Sequence, residues 1–144
     1  MNWFILLLVF LAGAATSIQA GVNGSLGKKV GALEAAFVSF LVGTIFLSIL
    51  LAFLRKGNLI SALDAPKWQL TGGLLGAIYI LIMVTAVPRI GIAAALVTLI
   101  AGQLICSTLI DHFGFIGDKQ IPVDWKRIVA ILLLGCSIYL FHKK

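Results

Sequence analysis

Residues 99–115 read LIAGQLICSTLIDHFGF. The run is apolar enough to lie in lipid, yet Gln103 stands in its middle, Ser107 and Thr108 follow, and Asp111 and His112 close it. A polar group inside the hydrocarbon layer is expensive and usually faces protein or a water-filled cavity. Whether this stretch is a membrane span, and what its polar residues are for, decides how the rest of the chain is read.

The composition around it agrees with a span. The 144 residues are 61% hydrophobic and only 11% charged, with a mean hydropathy of +1.14, whereas globular domains carry about 25% charged residues. The chain is therefore expected to be an all-α integral membrane protein. Helices are preferred to a β-barrel because the apolar runs are continuous rather than alternating. About 20 apolar residues cross the bilayer as a helix, and five segments meet or approach that length: 3–22, 32–54, 70–87, 92–110 and 128–141. Together they make residues 1–144 a single five-helix transmembrane domain with nothing left for a soluble module. The first segment reads as a retained span rather than a secretory signal. No positive charge precedes WFILLLVFLAGAATSI, and Ile18 stands where a cleavage site before Ala20 wants a small residue.

The connections are compact. NGSLGKKVG (23–31) separates spans one and two, and RKGNLISALDAPKWQ (55–69) separates two and three. PRIG (88–91) joins three and four, with Pro88 expected to stop one helix and Gly91 to help start the next. DHFGFIGDKQIPVDWK (111–126) leads into span five, which is short, so Trp125 and Tyr139 are expected near the interfaces while Arg127 and Lys143 snorkel.

The net charge of +6 lies in these short connections, so a membrane account suffices and nucleic acid is not implied. With five spans, Arg55, Lys56, Lys67, Lys119, Lys126 and Arg127 fall on one side, six in all. Lys28, Lys29, Arg89, Lys143 and Lys144 fall on the other, which makes five. The positive-inside rule works through a bias in such counts, and six against five is almost none. Insertion in both orientations follows as the expectation, with an antiparallel homodimer as the natural assembly, imitating the inverted repeats of many transporters. The competing expectation is one orientation, set by dominant charges such as Lys28 and Lys29.

Within the spans the only formally charged side chain is Glu34. Gln103, Ser107 and Asp111 recur at i, i+4 and i+8 and so share a stripe on span four, about 12 Å long at 1.5 Å per residue. Such a stripe suits a lined pathway; it equally suits interhelical hydrogen bonds that hold a bundle together. In span one Thr16, Gln19 and Asn23 form a matching stripe beside two ridges of small residues, Ala12, Thr16, Ala20, Gly24 and Gly13, Ser17, Gly21. Small residues at four-residue spacing let helices approach closely, which makes span one central. Gly72 and Gly76 repeat the device in span three, where packing is the favoured meaning. Cys106 and Cys136 are read as small buried apolar side chains. His112 and His142 lie at span ends as interfacial polar residues.

There is no GxSxG, HExxH, P-loop or Cys/His cluster of metal spacing. No catalytic residues, metal or cofactor are expected, and the chain is not read as an enzyme.

Three stretches carry a family resemblance: SIQAGVNGSLGKKVGALEAAFVSFLVGT (17–44), GGLLGAIYILIMVTAVPRIGIAAAL (72–96) and IAGQLICSTLIDHFGF (100–115). They resemble the signatures of the YdcZ-like branch of the drug/metabolite transporter superfamily, most specifically in Gln19 with Asn23, in FVSFLVGT (37–44), and in Gly102-Gln103 followed by Asp111-His112-Phe113-Gly114. The resemblance implies a multi-pass exporter of the bacterial cytoplasmic membrane whose single-gene members act as dual-topology dimers. Glu34 lies outside the family pattern. The small multidrug exporters of the same superfamily use a glutamate in their first span, and this first span has none, so their proton-exchange scheme does not transfer.

The favoured function is a secondary transporter that moves a small solute by alternating access at a polar midplane site of a dimer. Gln19, Asn23, Ser39, Tyr79, Gln103 and Asp111 are the expected substrate-binding residues. The amides and hydroxyls would hydrogen-bond the solute, Tyr79 would stack on it or bond to it, and Asp111 would attract a cation or carry a proton. The acidic groups at the boundaries lean toward a cationic or neutral solute. A passive dual-topology channel is a rival, separable by unitary currents. A non-transporting assembly subunit is another, marked by a stable hetero-complex and indifference to mutation of the polar stripes. The partners expected are a small-molecule substrate, membrane lipid and a second copy of the chain.

Overall fold

Helix α1 (Trp3–Val30) does not stop where the apolar run stops. It continues through Asn23, Gly24 and Gly27 to its last turn, so the expected nine-residue connection shrinks to Gly31, and α2 (Ala32–Leu54) begins at once. Its 28 residues make a rod of about 42 Å at 1.5 Å per residue, longer than the ~30 Å hydrocarbon layer. Two glycines in a helix interior argue locally against this, each by about 1 kcal/mol relative to alanine. Packing overrides them: Asn23 and Gly24 are buried, and Lys28 and Lys29 in the last turn oppose the negative end of the helix dipole.

The computed structural model describes residues 2–54, 57–115 and 120–143. After α2 come two short 3₁₀ turns, Leu59–Leu63 and Lys67–Thr71, then α3 (Gly72–Ile90), α4 (Ile92–Phe113) and α5 (Trp125–His142). All five helices are long and apolar enough to cross a membrane, the third counted from Lys67. Among the described residues there is no strand. Of the basic residues in the orientation count, Arg55, Lys56, Lys119 and Lys144 lie outside those described.

The chain divides into two compact units, Met1–Arg89 and Ile90–Lys144. In the first, Ala35 and Ala36 of α2 form a core with Ile80 and Val84 of α3, against which Leu26, Ala32, Tyr79 and Leu81 pack. Helix α1 reaches α3 through missing side chains. A Cβ on Gly24 would lie 3.1 Å from Val87 Cγ1 and 3.6 Å from Pro88 Cδ, and one on Gly27 would run into Val84 Cγ1. Only the lower part of the small-residue ridge is used, since Ala20 and Gly24 are buried while Ala12 and Gly13 are exposed. Nor do Gly72 and Gly76 act as a pair: Gly72 faces open space, and Gly76 lies under the Phe40 ring.

Gly31 turns the chain at φ +105°, a conformation that residues with a Cβ rarely adopt. The carboxylate of Glu34 folds back into the place a Cβ on Gly31 would take. Glu34 is thus an exposed acid in the first turn of α2, where the positive end of the dipole favours it. Pro88 does not stop α3, which runs two residues further to Ile90. A proline this close to the helix end loses one hydrogen bond and leaves little helix to distort. The break falls instead at Gly91, φ +86°.

The second unit is a helical hairpin. Ala94, Ala101 and Thr108 form the buried stripe of α4 at seven-residue spacing, with Ala95 beside it. The polar close of residues 99–115 builds the turn into α5. Gly114 is left-handed at φ +67° and donates its N–H to Ile110 O at 2.8 Å. His112 Nδ1 accepts from Val123 N–H at 3.4 Å, and Gln120 Nε2 donates to Phe113 O at 3.3 Å. Asp124 caps α5 by accepting from Arg127 N–H at 2.9 Å. The Arg127 guanidinium bridges to Asp111 Oδ2 at 3.2 Å, so it closes the hairpin rather than snorkelling. Lys143 places its ammonium 5.7 Å from the centre of the Tyr139 ring. Cys106 and Cys136 are exposed and unbridged, which corrects their reading as buried.

Because the Asp111 side chain is 42% exposed and that of Arg127 30%, the pair ranks with partly solvated ion pairs worth about 0.2–1 kcal/mol. Asp111→Asn and Arg127→Gln should each lower the thermal midpoint of the purified protein slightly, and the exchanged pair Asp111→Arg with Arg127→Asp should recover much of it. A loss as large from the exchanged pair as from both single changes added would mean that the two groups do not act on each other.

Candidate functional site

Six hydroxyls in the spans need no partner beyond their own helix. Thr16 and Ser17 donate to Ala12 O and Gly13 O, Ser48 to Thr44 O, Thr85 to Ile82 O, Thr98 to Ala94 O and Ser107 to Leu104 O, at 2.8–3.2 Å. A hydroxyl folded onto a carbonyl three or four residues back is satisfied in lipid at little cost. Ser107 and Thr16 therefore drop out of the polar stripes as signs of a pathway. A carboxamide has two donors and an acceptor, which back-bonding cannot satisfy. Gln19, Asn23 and Gln103 are the carboxamides that remain in the stripes, beside Asp111.

Asn23 is buried and donates from Nδ2 to Ser39 Oγ on α2 at 3.1 Å. Ser39 Oγ accepts that bond and keeps its own proton to give. One turn earlier on α1, Gln19 is exposed, and among the described residues it has no hydrogen-bond partner. Gln19 and Ser39 line a cleft of about 330 Å³ together with Phe40, Gly43, Thr44, Leu47, Gly76, Tyr79 and Ile80. That volume is at the lower end of small-molecule sites, roughly 300–1,000 Å³.

The helices create this lining by their periodicity. Ser39, Phe40, Gly43, Thr44 and Leu47 recur at i, i+1, i+4, i+5 and i+8, one face of α2; Gly76, Tyr79 and Ile80 recur at i, i+3 and i+4 on α3. Gly43 is the midpoint of α2, so the cleft lies at mid-height of that helix. Absent side chains at Gly43 and Gly76 open the space, and the ring of Phe40 closes on Gly76. Every residue lining the cleft is uncharged. It offers the Gln19 amide, the Ser39 and Thr44 hydroxyls and the Tyr79 phenol against an apolar wall.

Four of the six expected site residues thus meet in the first unit. Gln19, Ser39 and Tyr79 line the cleft, and Asn23 stands behind, holding Ser39. Gln103 and Asp111 stand in the second unit, where Gln103 is exposed and Asp111 is paired with Arg127. Phe40, Gly43, Thr44, Leu47, Gly76 and Ile80 were not singled out as site residues. Phe40, Gly43 and Thr44 nonetheless lie in the FVSFLVGT stretch that carries the resemblance, and the i, i+4, i+5 spacing from Ser39 was the available signal.

The family described as "Putative inner membrane exporter, YdcZ" matches residues 4–140. No curated protein and no solved structure matches the chain. The match takes in all five helices but the two ends of the chain, and five apolar helices of spanning length suit a multi-pass protein of the bacterial inner membrane. From Phe4 to Leu140, the chain belongs to the YdcZ family of inner-membrane exporters.

Proposed function

We propose that this protein is a secondary transporter of the drug/metabolite transporter superfamily that exports a small, uncharged solute, and that the cleft of the first unit is where the solute binds. The observation that carries the reading is the convergence of Gln19, Ser39 and Tyr79 from three helices on one mid-height cleft. A charged solute in so low a dielectric would need a counter-charge beside it, and none lines the cleft. This narrows the sequence-based lean toward a cationic or neutral solute to the neutral one.

In this reading the amide of Gln19 and the hydroxyl of Ser39 orient the solute, Tyr79 covers it, and Phe40 and Ile80 supply the apolar wall. Asn23 fixes the Ser39 hydroxyl. Two copies assemble in opposite orientations, as the near-equal basic count on the two sides suggests, and the cleft opens alternately to each side.

Solutes in the medium of cells expressing the wild-type protein should be compared with those released by cells expressing a Ser39→Ala/Tyr79→Phe variant at equal membrane abundance. At least one neutral solute is expected to accumulate outside only with the wild type. Identical profiles would remove the cleft from the transport path. A cation as the sole difference would overturn the uncharged-solute reading.

A further inference from the structure

The buried stripe of α4 is Ala94, Ala101 and Thr108. Gln103 follows Ala101 by two residues, about 200° further round the helix at 3.6 residues per turn. It therefore points away from the face that α4 packs, and it is exposed. Among the described residues its amide has no hydrogen-bond partner. Ile100, Gly102, Cys106 and Ser107 beside it are exposed as well, and Gly102 has open space where a Cβ would stand. Gln103 is the twelfth of the 22 residues of α4, the middle of a helix about 33 Å long that spans a ~30 Å layer. A carboxamide facing lipid at that depth would leave two donors and an acceptor unsatisfied. Such an amide calls for a polar cover.

We infer that the cover is Gln103 of a second copy, two α4 helices crossing antiparallel at Gly102–Gln103 with their amides paired. The inference rests on the antiparallel dimer proposed above and supplies its contact surface. Copies inserted in opposite orientations are related by a two-fold axis in the membrane plane, and only a residue at mid-height can face its own copy across such an axis. Gln103 has that height. Its side chain is also self-complementary, since each amide can donate an N–H to the other's oxygen. Gly102 lets the backbones approach closely at the crossing. The same symmetry sets the register: Ser107 lies beside Leu99 of the second copy and Cys106 beside Ile100, while the two Ser107 side chains stand about 12 Å apart along the axis.

The test is disulfide trapping in native membranes in a Cys106→Ser/Cys136→Ser background. Gln103→Cys is expected to give a covalent dimer in more than half of the protein under mild oxidant, and Ser107→Cys alone less than a tenth of that yield. Ser107→Cys should crosslink when expressed together with Leu99→Cys. A second pair, Ile100→Cys with native Cys106 in a Cys136→Ser background, reads the register with Gln103 intact, should the Gln103 variant fail to fold. Protein that migrates as a dimer in detergent but is not trapped by either route would refute this surface and leave the antiparallel dimer standing. Equal trapping of Ser107→Cys and Gln103→Cys would show parallel helices and overturn both.

Discussion

Gly27→Val is expected to remove most of the folded protein from the membrane. A Cβ at this position would run into Val84 Cγ1, with Ala32 Cα and Ala35 Cβ each 3.8 Å away. Val84 is among the most buried side chains of the first unit, at 2% exposure, so it has nowhere to withdraw. Inserting one methyl into so close a contact costs about 1–3 kcal/mol, and valine adds two more methyls with a restricted rotamer. Helices α1 and α3 would be forced apart, and with them the Asn23–Ser39 bond that spans α1 and α2. A graded series makes the cause visible. Gly27→Ala should lower the thermal midpoint clearly. Gly24→Ala should lower it less, because its Cβ would still lie 3.1 Å from Val87 Cγ1. Gly13→Ala meets nothing within 4 Å and should be neutral or stabilising, alanine being about 1 kcal/mol the better helix former. If all three behave alike in detergent-solubilised protein, α1 does not pack on α3 through its glycines.

Gln19→Leu is expected to cut export of the solute identified from the medium by about 10–100-fold without reducing the amount or thermal stability of the protein. Loss of a hydrogen bond that leaves a desolvated partner unpaired costs about 1–3 kcal/mol, and 1.4 kcal/mol is a factor of ten. Leucine keeps the approximate bulk, is a good helix former, and is at home in lipid, so a structural explanation predicts no loss. The contrast with Asn23 sharpens the assignment. Asn23 is buried and bonded within the unit, so Asn23→Ala should lower stability and export together, whereas Gln19→Leu should lower export alone. Unchanged export by Gln19→Leu, measured as efflux from loaded vesicles, would place the solute elsewhere.

Sequence reasoning picked out the polar residues of the candidate cleft more by chemistry than by position. Gln19, Asn23, Ser39 and Tyr79 stood out because each puts hydrogen-bonding capacity where lipid offers none, and the structure gathers them around one cleft. Gln103 and Asp111 looked equivalent to them along span four, yet they stand in the second unit, away from the cleft's lining. Asp111 has an arginine within reach, contributed by a residue 16 positions later, and no spacing on a single helix reveals such a partner. Gln103 and Ser107 share a helical stripe, but Ser107 satisfies itself on Leu104 O while a carboxamide cannot. The lining residues Phe40, Gly43 and Gly76 carry no polar signal; they matter through the space they fill or leave.

What the sequence determined by itself is the class and the spans. Hydropathy acts through the free energy of moving each residue into lipid, a sum over local composition, so five helices were legible in order and, α1 apart, nearly in length. Family membership was legible in the same way, from contiguous stretches. Only the tertiary structure decided where α1 ends, that Pro88 stays within α3, that Arg127 turns toward Asp111, and which polar residues share a cleft. Those outcomes depend on contacts between residues far apart in the chain. A glycine that weakens a helix locally can strengthen it once Val84 fills the gap, and that balance is struck only when the helices have met.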